Sequence, residues 1–350
     1  MVVKTYSGDQ TGVFKIFSPV PAGSGVEVLH RDLAGGIPGY RLRTYSPWWS
    51  LFPPALPFLS ARNVDLIHAG ADYGALFARD SVPLVATLHG YTSDRFMRDF
   101  SSRLQYVHYR TDLRWLSRMT LARANVVVAV SRFVGDLIRQ DLGVDPPLRT
   151  IYNGVDHERF VPSGPRPAKK PFRILFCGNL KRLKRVHLLP QLAAALDERF
   201  EIFFTAGLAE GRLSASPVAA GGAQLRPLGR IAHADMPSVY QSMDALFMPS
   251  VREGFGLCVA EAMACGLPVV ACGESALPEL VEPGQGGMLC EVDDVPAFAG
   301  AFRQLADDPA LVSRMGEFNR ARVEQMFTLE RMVREYRELF EAVSDRVFSR

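Results

Sequence analysis

Short apolar runs recur along the chain, each followed by a stretch whose apolar residues fall at helical spacing. In the first half the runs are 13–17 (VFKIF), 41–45 (RLRTY), 65–69 (DLIHA), 84–88 (LVATL) and 126–130 (VVVAV). In the second half they are 173–177 (RILFC), 201–205 (EIFFT), 245–249 (ALFMP) and 268–272 (PVVAC). Mostly continuous apolar runs separated by helices predict parallel strands covered on both faces, an α/β chain. Residues 161–171 (VPSGPRPAKKP) carry four prolines and a small basic cluster near the midpoint, and read as a linker. A length of 350 residues suits the two domains this implies. Ligands of open parallel sheets bind beyond the carboxyl ends of the strands, so two facing sheets predict a cleft lined by strand ends.

Composition narrows the classes. A 48% hydrophobic and 22% charged chain is an ordinary globular one, and a net charge of +3 is too small to argue for nucleic acid. The five cysteines all lie in the second half, form no Cys-x-x-Cys pair and are odd in number, so neither a disulfide framework nor a zinc site is expected. The first residues, MVVKTYSGDQTG, contain no apolar signal core, and no apolar run approaches the roughly 20 residues that span a bilayer. A cytosolic protein is expected.

The chemistry concentrates in residues 253–270, EGFGLCVAEAMACGLPVV. Gly254 and Gly256 flank Phe255 in a turn that lets a ligand approach the backbone, and Leu257 to Cys265 is a run of mostly good helix formers. Gly266 and Pro268 stop it. The amides of the first helical turn lack intrahelical partners and favour an anion. Glu253 just before that turn and Glu261 two turns on can meet one ligand from two ends, as a nucleotide carrying hydroxyl-rich sugars would require. Other strand ends carry similar signals: Gly23-Ser24-Gly25, His89-Gly90, Asn153-Gly154, and Gly178 followed by Lys181, Arg182, Lys184 and Arg185. Ser131 has the character of a helix N-cap.

The 253–261 segment resembles the Glu-x(7)-Glu motif of glycosyltransferase family 4, retaining enzymes of the GT-B fold with two facing Rossmann-like domains. The resemblance runs along nearly the whole chain. It implies an acceptor-side domain over 1–165, a nucleotide-sugar domain over 166–327, and a last helix in 328–350 that crosses back to the first domain. It further implies that Glu253 and His89 contact the transferred sugar, that Lys184 meets the diphosphate, and that Glu261 holds the ribose. Gly25, Gly178, Asn179, Gly254, Phe255, Gly256 and Leu257 would border the donor, and the backbone at Gly229 and Ile231 the base. His68 also matches a family pattern and reads as structural.

Three departures stand out. Asn179 and Arg185 take the places of the family's usual arginine and glycine, and Ser275-Ala276 replaces two glycines in a Gly-Gly-x-Pro-Glu turn. The activity implied is transfer from a nucleotide-diphosphate sugar to a hydroxyl on a glycan, lipid-linked or small-molecule acceptor, serving cell-envelope glycan or glycolipid synthesis. No cofactor is implied, and no Asp-x-Asp motif is present to hold a metal on the diphosphate. A GT-B epimerase or phosphorylase, or a weakened member acting as a scaffold, would share these motifs. A dehydrogenase is disfavoured, because no G-x-G-x-x-G follows an early strand.

Residues 95–123 hold seven arginines against Asp99 and Asp112. On a regular helix Arg103, Arg110, Arg114 and Arg118 share one face. That basic stripe suits peripheral docking on an anionic membrane.

Overall fold

The computed structural model describes residues 14–23, 25–51, 53–143, 146–164, 171–205 and 221–348. Ser24, residues 165–170 of the expected linker, and the start of the chain through Val13 lie outside them.

The first half forms a six-stranded parallel sheet in the order β2-β1-β3-β4-β5-β6. Its strands are β1 (Ile16–Pro21), β2 (Tyr40–Tyr45), β3 (Leu66–Gly70), β4 (Leu84–Leu88), β5 (Val126–Ala129) and β6 (Leu148–Thr150). The second half repeats the arrangement as β12-β11-β10-β7-β8-β9. These strands are β7 (Phe172–Phe176), β8 (Phe200–Thr205), β9 (Gln224–Gly229), β10 (Ala245–Met248), β11 (Val269–Cys272) and β12 (Gly287–Cys290). Every residue of β4, β5, β10 and β11 is buried, as continuous apolar runs require.

The helices of the first half are α1 (Gly25–Gly36), α2 (Arg103–His108), α3 (Arg114–Arg123) and α4 (Arg132–Leu142). Those of the second are α5 (Leu188–Ala195), α6 (Met236–Gln241), α7 (Leu257–Ala264), α8 (Leu277–Leu280), α9 (Val295–Asp307), α10 (Pro309–Met326) and α11 (Leu329–Phe348). The last of these returns to the first sheet. Val333 fills the space beside Gly36 of α1, and Tyr336 and Phe340 pack against His68.

The two halves are tied at the strand ends. Glu279 of α8 accepts hydrogen bonds from the Arg132 and Phe133 amides at the start of α4, at 2.9 and 2.8 Å, and from the Tyr152 hydroxyl at 2.9 Å. A carboxylate on those amides supplies partners that the helix cannot. Arg252 pairs with Asp94 at 2.6 Å while lying over the Phe96 ring. Ser131, the N-cap of α4, also donates to the Gly254 carbonyl at 2.6 Å.

The expected basic stripe is not present as an open face. A single π-helical turn, Tyr109–Leu113, separates α2 from α3 and changes the angular spacing. Arg110 donates to the Ser93 carbonyl at 2.8 Å and pairs with Asp141, and Arg114 pairs with Asp141 and reaches the Tyr91 hydroxyl at 3.0 Å. Only Arg103 and Arg118 of the four remain exposed. A buried-side carboxylate on α4 thus draws two of the four guanidiniums inward.

Candidate active site

The site is built where β7, β10 and α7 meet the end of β4. After β7 the chain turns at Gly178 (φ +155°), whose amide donates to Thr205 at 3.0 Å, and the aliphatic stem of Lys184 runs alongside it. The next turn ends at Arg185, which holds a left-handed φ of +53°. Glycine adopts that conformation without strain. Here an arginine does so, with Nε donating to Asp293 at 2.7 Å. Asn179 is exposed, and its carbonyl accepts from the Lys181 amide at 2.8 Å.

Lys184 Nζ forms an ion pair with Glu253. Burial works against the ammonium, but the adjacent Glu253 carboxylate outweighs it, and the Lys184 pKa lies above its ordinary value. Glu253 is itself buried, and its amide donates to Ser275 Oγ at 3.0 Å. Ser275 also sits at positive φ, +59°. Arg185 and Ser275 thus adopt the positive φ that glycine favours, and each adds a side-chain contact, whereas Ala276 has an ordinary φ of −81°.

Gly256, at φ +105°, caps α7, and the Val259 and Ala260 amides already bond to its carbonyl. The Leu257 and Cys258 amides precede the first intrahelical bond and are left for an anion. One turn on, Glu261 accepts from the Tyr240 hydroxyl and from His233 Nε2, each at 2.8 Å. The hydrogen bond to Glu261 raises the His233 pKa against the effect of burial. Gly229, at φ +67°, turns the chain from β9 toward Ile231 and His233, and Phe160 lies beside the His233 ring.

Across the cleft, His89 follows β4 and lines a largely apolar pocket with Pro19, Tyr45, Asp72, Tyr73 and Phe77. Burial pushes its pKa down to about 4, so it is neutral at ordinary pH. Its carbonyl oxygen lies where a Cβ on Gly254 would be, 2.0 Å from that ideal position. The structure thus brings Glu253, Lys184, Gly254 and His89 into one place, with Glu261 a helical turn beyond. Gly25 opens α1 with free space around it, so no neighbour there demands a glycine. His233 and Tyr240 were not expected from sequence, whereas Ser275 and Glu279 lie in the Gly-Gly-x-Pro-Glu-like turn already marked there, with no role given to either. A histidine two residues past Ile231, on the loop after a strand end, was the available signal for His233.

Comparison with known proteins accords with this geometry. Residues 13–159 match the family model described as Glycosyltransferase Family 4, and residues 171–308 match that described as Glycosyl transferases group 1. The chain belongs to glycosyltransferase family 4. It is 30% identical over 285 residues to D-inositol 3-phosphate glycosyltransferase 1 of Catenulispora acidiphila, covering 72% of this chain and 66% of that relative. It spans about half to two thirds of the length of several curated relatives it matches. Among solved structures it resembles sucrose-phosphate synthase from Thermosynechococcus elongatus, with a TM-score of 0.76, 20% identity and coverage of 94% of this chain and 100% of that one. Anabaena HepE in complex with UDP-glucose gives a TM-score of 0.75 at 21% identity, covering 94% and 99%. The fold of this family-4 chain is GT-B.

Proposed function

We propose that this family-4 chain transfers a sugar, with retention and without a metal ion, from a nucleotide-diphosphate donor to a hydroxyl acceptor. The observation that carries the reading is the Lys184–Glu253 pair just before α7, next in the chain to Gly254, which lies against the His89 backbone carbonyl of the other half. Lys184 and the first amides of α7 would meet the charge that grows on the leaving diphosphate. Glu253 and His89 would hold hydroxyls of the transferred sugar, Glu261 the ribose, and the backbone at Ile231 the base. Retention is assigned to front-face attack, with the leaving phosphate taking the acceptor proton. The first half, 1–165, would then serve the acceptor and 166–327 the donor, their boundary lying outside the described residues. A donor screen scored by nucleotide release tests this. Because HepE is solved with UDP-glucose, UDP-hexoses lead the screen. Binding without release from any donor would favour the scaffold.

The His233–Glu261 pair gives donor binding a pH dependence. A ribose that takes Glu261 displaces the imidazolium, whose pKa falls back toward its ordinary value, and a proton is released. Nucleotide-sugar affinity is therefore expected to rise with pH from the ordinary histidine range to the raised value and to be flat on either side. Calorimetry across this range checks it, and His233→Ala should flatten the profile.

The acceptor is proposed to be membrane-associated, on a surface that is more apolar than the sequence suggested. Leu104, Val107 and Trp115 are 86%, 58% and 59% exposed between Arg103 and Arg118. Anionic liposomes should sediment the protein, and Leu104→Glu with Trp115→Glu should abolish this. With two of the four stripe arginines turned inward the salt dependence should be shallower than the full stripe would give, by about 1 kcal/mol per residue near the surface. Equal sedimentation with neutral and anionic vesicles would remove the electrostatic part of this proposal.

A further inference from the structure

Three histidines join in one buried hydrogen-bond chain beneath the cleft. The Tyr336 hydroxyl of α11 lies 3.2 Å from Thr87 Oγ1, which lies 2.7 Å from His68 Nε2. His68 Nδ1 is 2.6 Å from the Tyr40 hydroxyl, and that hydroxyl is 2.7 Å from His30 Nδ1. His30 Nε2 completes the chain at 3.1 Å from His89 Nε2. Ser18 reaches His30 Nδ1 at 2.7 Å and also bonds Tyr40. All of these residues are buried except His89, which is partly exposed at the cleft.

The direction of the protons follows from counting donors. Burial holds His30, His68 and His89 neutral, so each carries one N–H, and each hydroxyl carries one O–H. Thr87 Oγ1 is the hydrogen-bond partner of Tyr336 among the described residues, and its own partners are His68 and Tyr336. If His68 donated to Thr87, the two hydroxyl hydrogens would compete for the single Thr87–Tyr336 contact. One would be left unpaired in the core, an unfavourable state. The opposite order uses every hydrogen. Tyr336 donates to Thr87, Thr87 to His68 Nε2, His68 Nδ1–H to Tyr40, Tyr40 to His30 Nδ1, and His30 Nε2–H to His89 Nε2. Ser18 can donate to Tyr40 or His30 without changing that direction. His89 must then carry its own proton on Nδ1, which has no protein partner among the described residues.

We propose that Thr87, His68, Tyr40 and His30 are positioning residues that fix His89 as the neutral Nδ1–H tautomer, a hydrogen-bond donor to an oxygen of the transferred sugar. The use of that donor at a sugar rests on the function proposed above. The tautomer itself does not. His89 is then a donor to a sugar oxygen and not a base, and the returning helix α11 helps set its polarity from the far end of the chain.

The test is long-range proton–nitrogen correlation NMR on histidine-labelled protein, with the His89 signals assigned by their loss in His89→Gln. The expected result is a protonated, pyrrole-like Nδ1 and a pyridine-like Nε2. Thr87→Val removes the hydroxyl that donates to His68. It should let the Nε2–H form of His89 appear and lower turnover about tenfold, the scale of one neutral hydrogen bond. A wild-type His89 protonated on Nε2 overturns the proposal, and that spectrum decides even where Thr87→Val does not fold. An unchanged tautomer in folded Thr87→Val overturns the role of the chain. The expected tautomer in a protein that turns over no nucleotide sugar supports the proton order and rejects only its use in transfer.

Discussion

Glu253→Gln is expected to lower turnover about 100-fold or more, on the order of 3 kcal/mol in the barrier, while nucleoside-diphosphate binding stays intact or tightens. The two effects separate because the Glu253 carboxylate holds Lys184 in an ion pair. A donor phosphate has to share that ammonium with Glu253, and the neutral amide removes the competition. The sugar hydroxyls lose a charged acceptor at the same time, and a charge-assisted hydrogen bond is about twice as strong as a neutral one. Ser275 binds the Glu253 backbone, so the side chain should keep its place in the variant. Lys184→Ala should do the reverse at the binding step, weakening nucleoside diphosphate and raising the donor KM. Calorimetry with the nucleotide and steady-state kinetics with the donor separate the two. Unchanged turnover in folded Glu253→Gln would take Glu253 out of the reaction, and unchanged nucleotide affinity in Lys184→Ala would move the phosphate site elsewhere.

The central strands and α7 were legible because burial on both faces demands unbroken apolar runs, and Gly254-Phe255-Gly256 marks the turn before the helix. Three strands were not read, β6, β9 and β12, and all three are sheet edges. An edge has one neighbour and a wetter face, so β9 can be mostly exposed or half-buried and contain Pro227. The arginine stripe failed for a different reason: angular spacing along one helix carries no information about Asp141 on another. Arg185 and Ser275 were read in the sequence as departures from family glycines, and both adopt a positive φ of the kind glycine favours. Their partners, Asp293 and the Glu253 amide, are distant in sequence and visible only in the fold. His68 was read as structural and is fully buried, whereas His30 lies within an ordinary helical pattern and gave no signal.

Gly254→Ala is expected to reduce kcat/KM about 100-fold while leaving the donor half able to bind nucleotide. The glycine lies directly against the other half: an added Cβ would lie 2.0 Å from the His89 carbonyl oxygen and 3.3 Å from Gly90 Cα. Both are backbone atoms, so no side chain can swing aside, and the halves must separate by more than an ångström to restore ordinary contact. Ser131, of the same half as His89, donates to the Gly254 carbonyl at 2.6 Å, so a retreat of the loop would also cost that hydrogen bond. The displacement falls between Glu253 and His89, the two groups assigned to the transferred sugar, and a misplacement of about 1 Å there can cost about 100-fold. The stability loss should be smaller, about 1–3 kcal/mol for overpacking, because the Glu279 and Arg252–Asp94 contacts still join the halves. Nucleotide affinity should stay near that of the parent, since Lys184, Glu261 and the α7 amides all belong to the second half. Parent-like turnover from folded Gly254→Ala would mean that the halves do not meet at this point during the reaction, and that His89 and Glu253 do not act on one sugar.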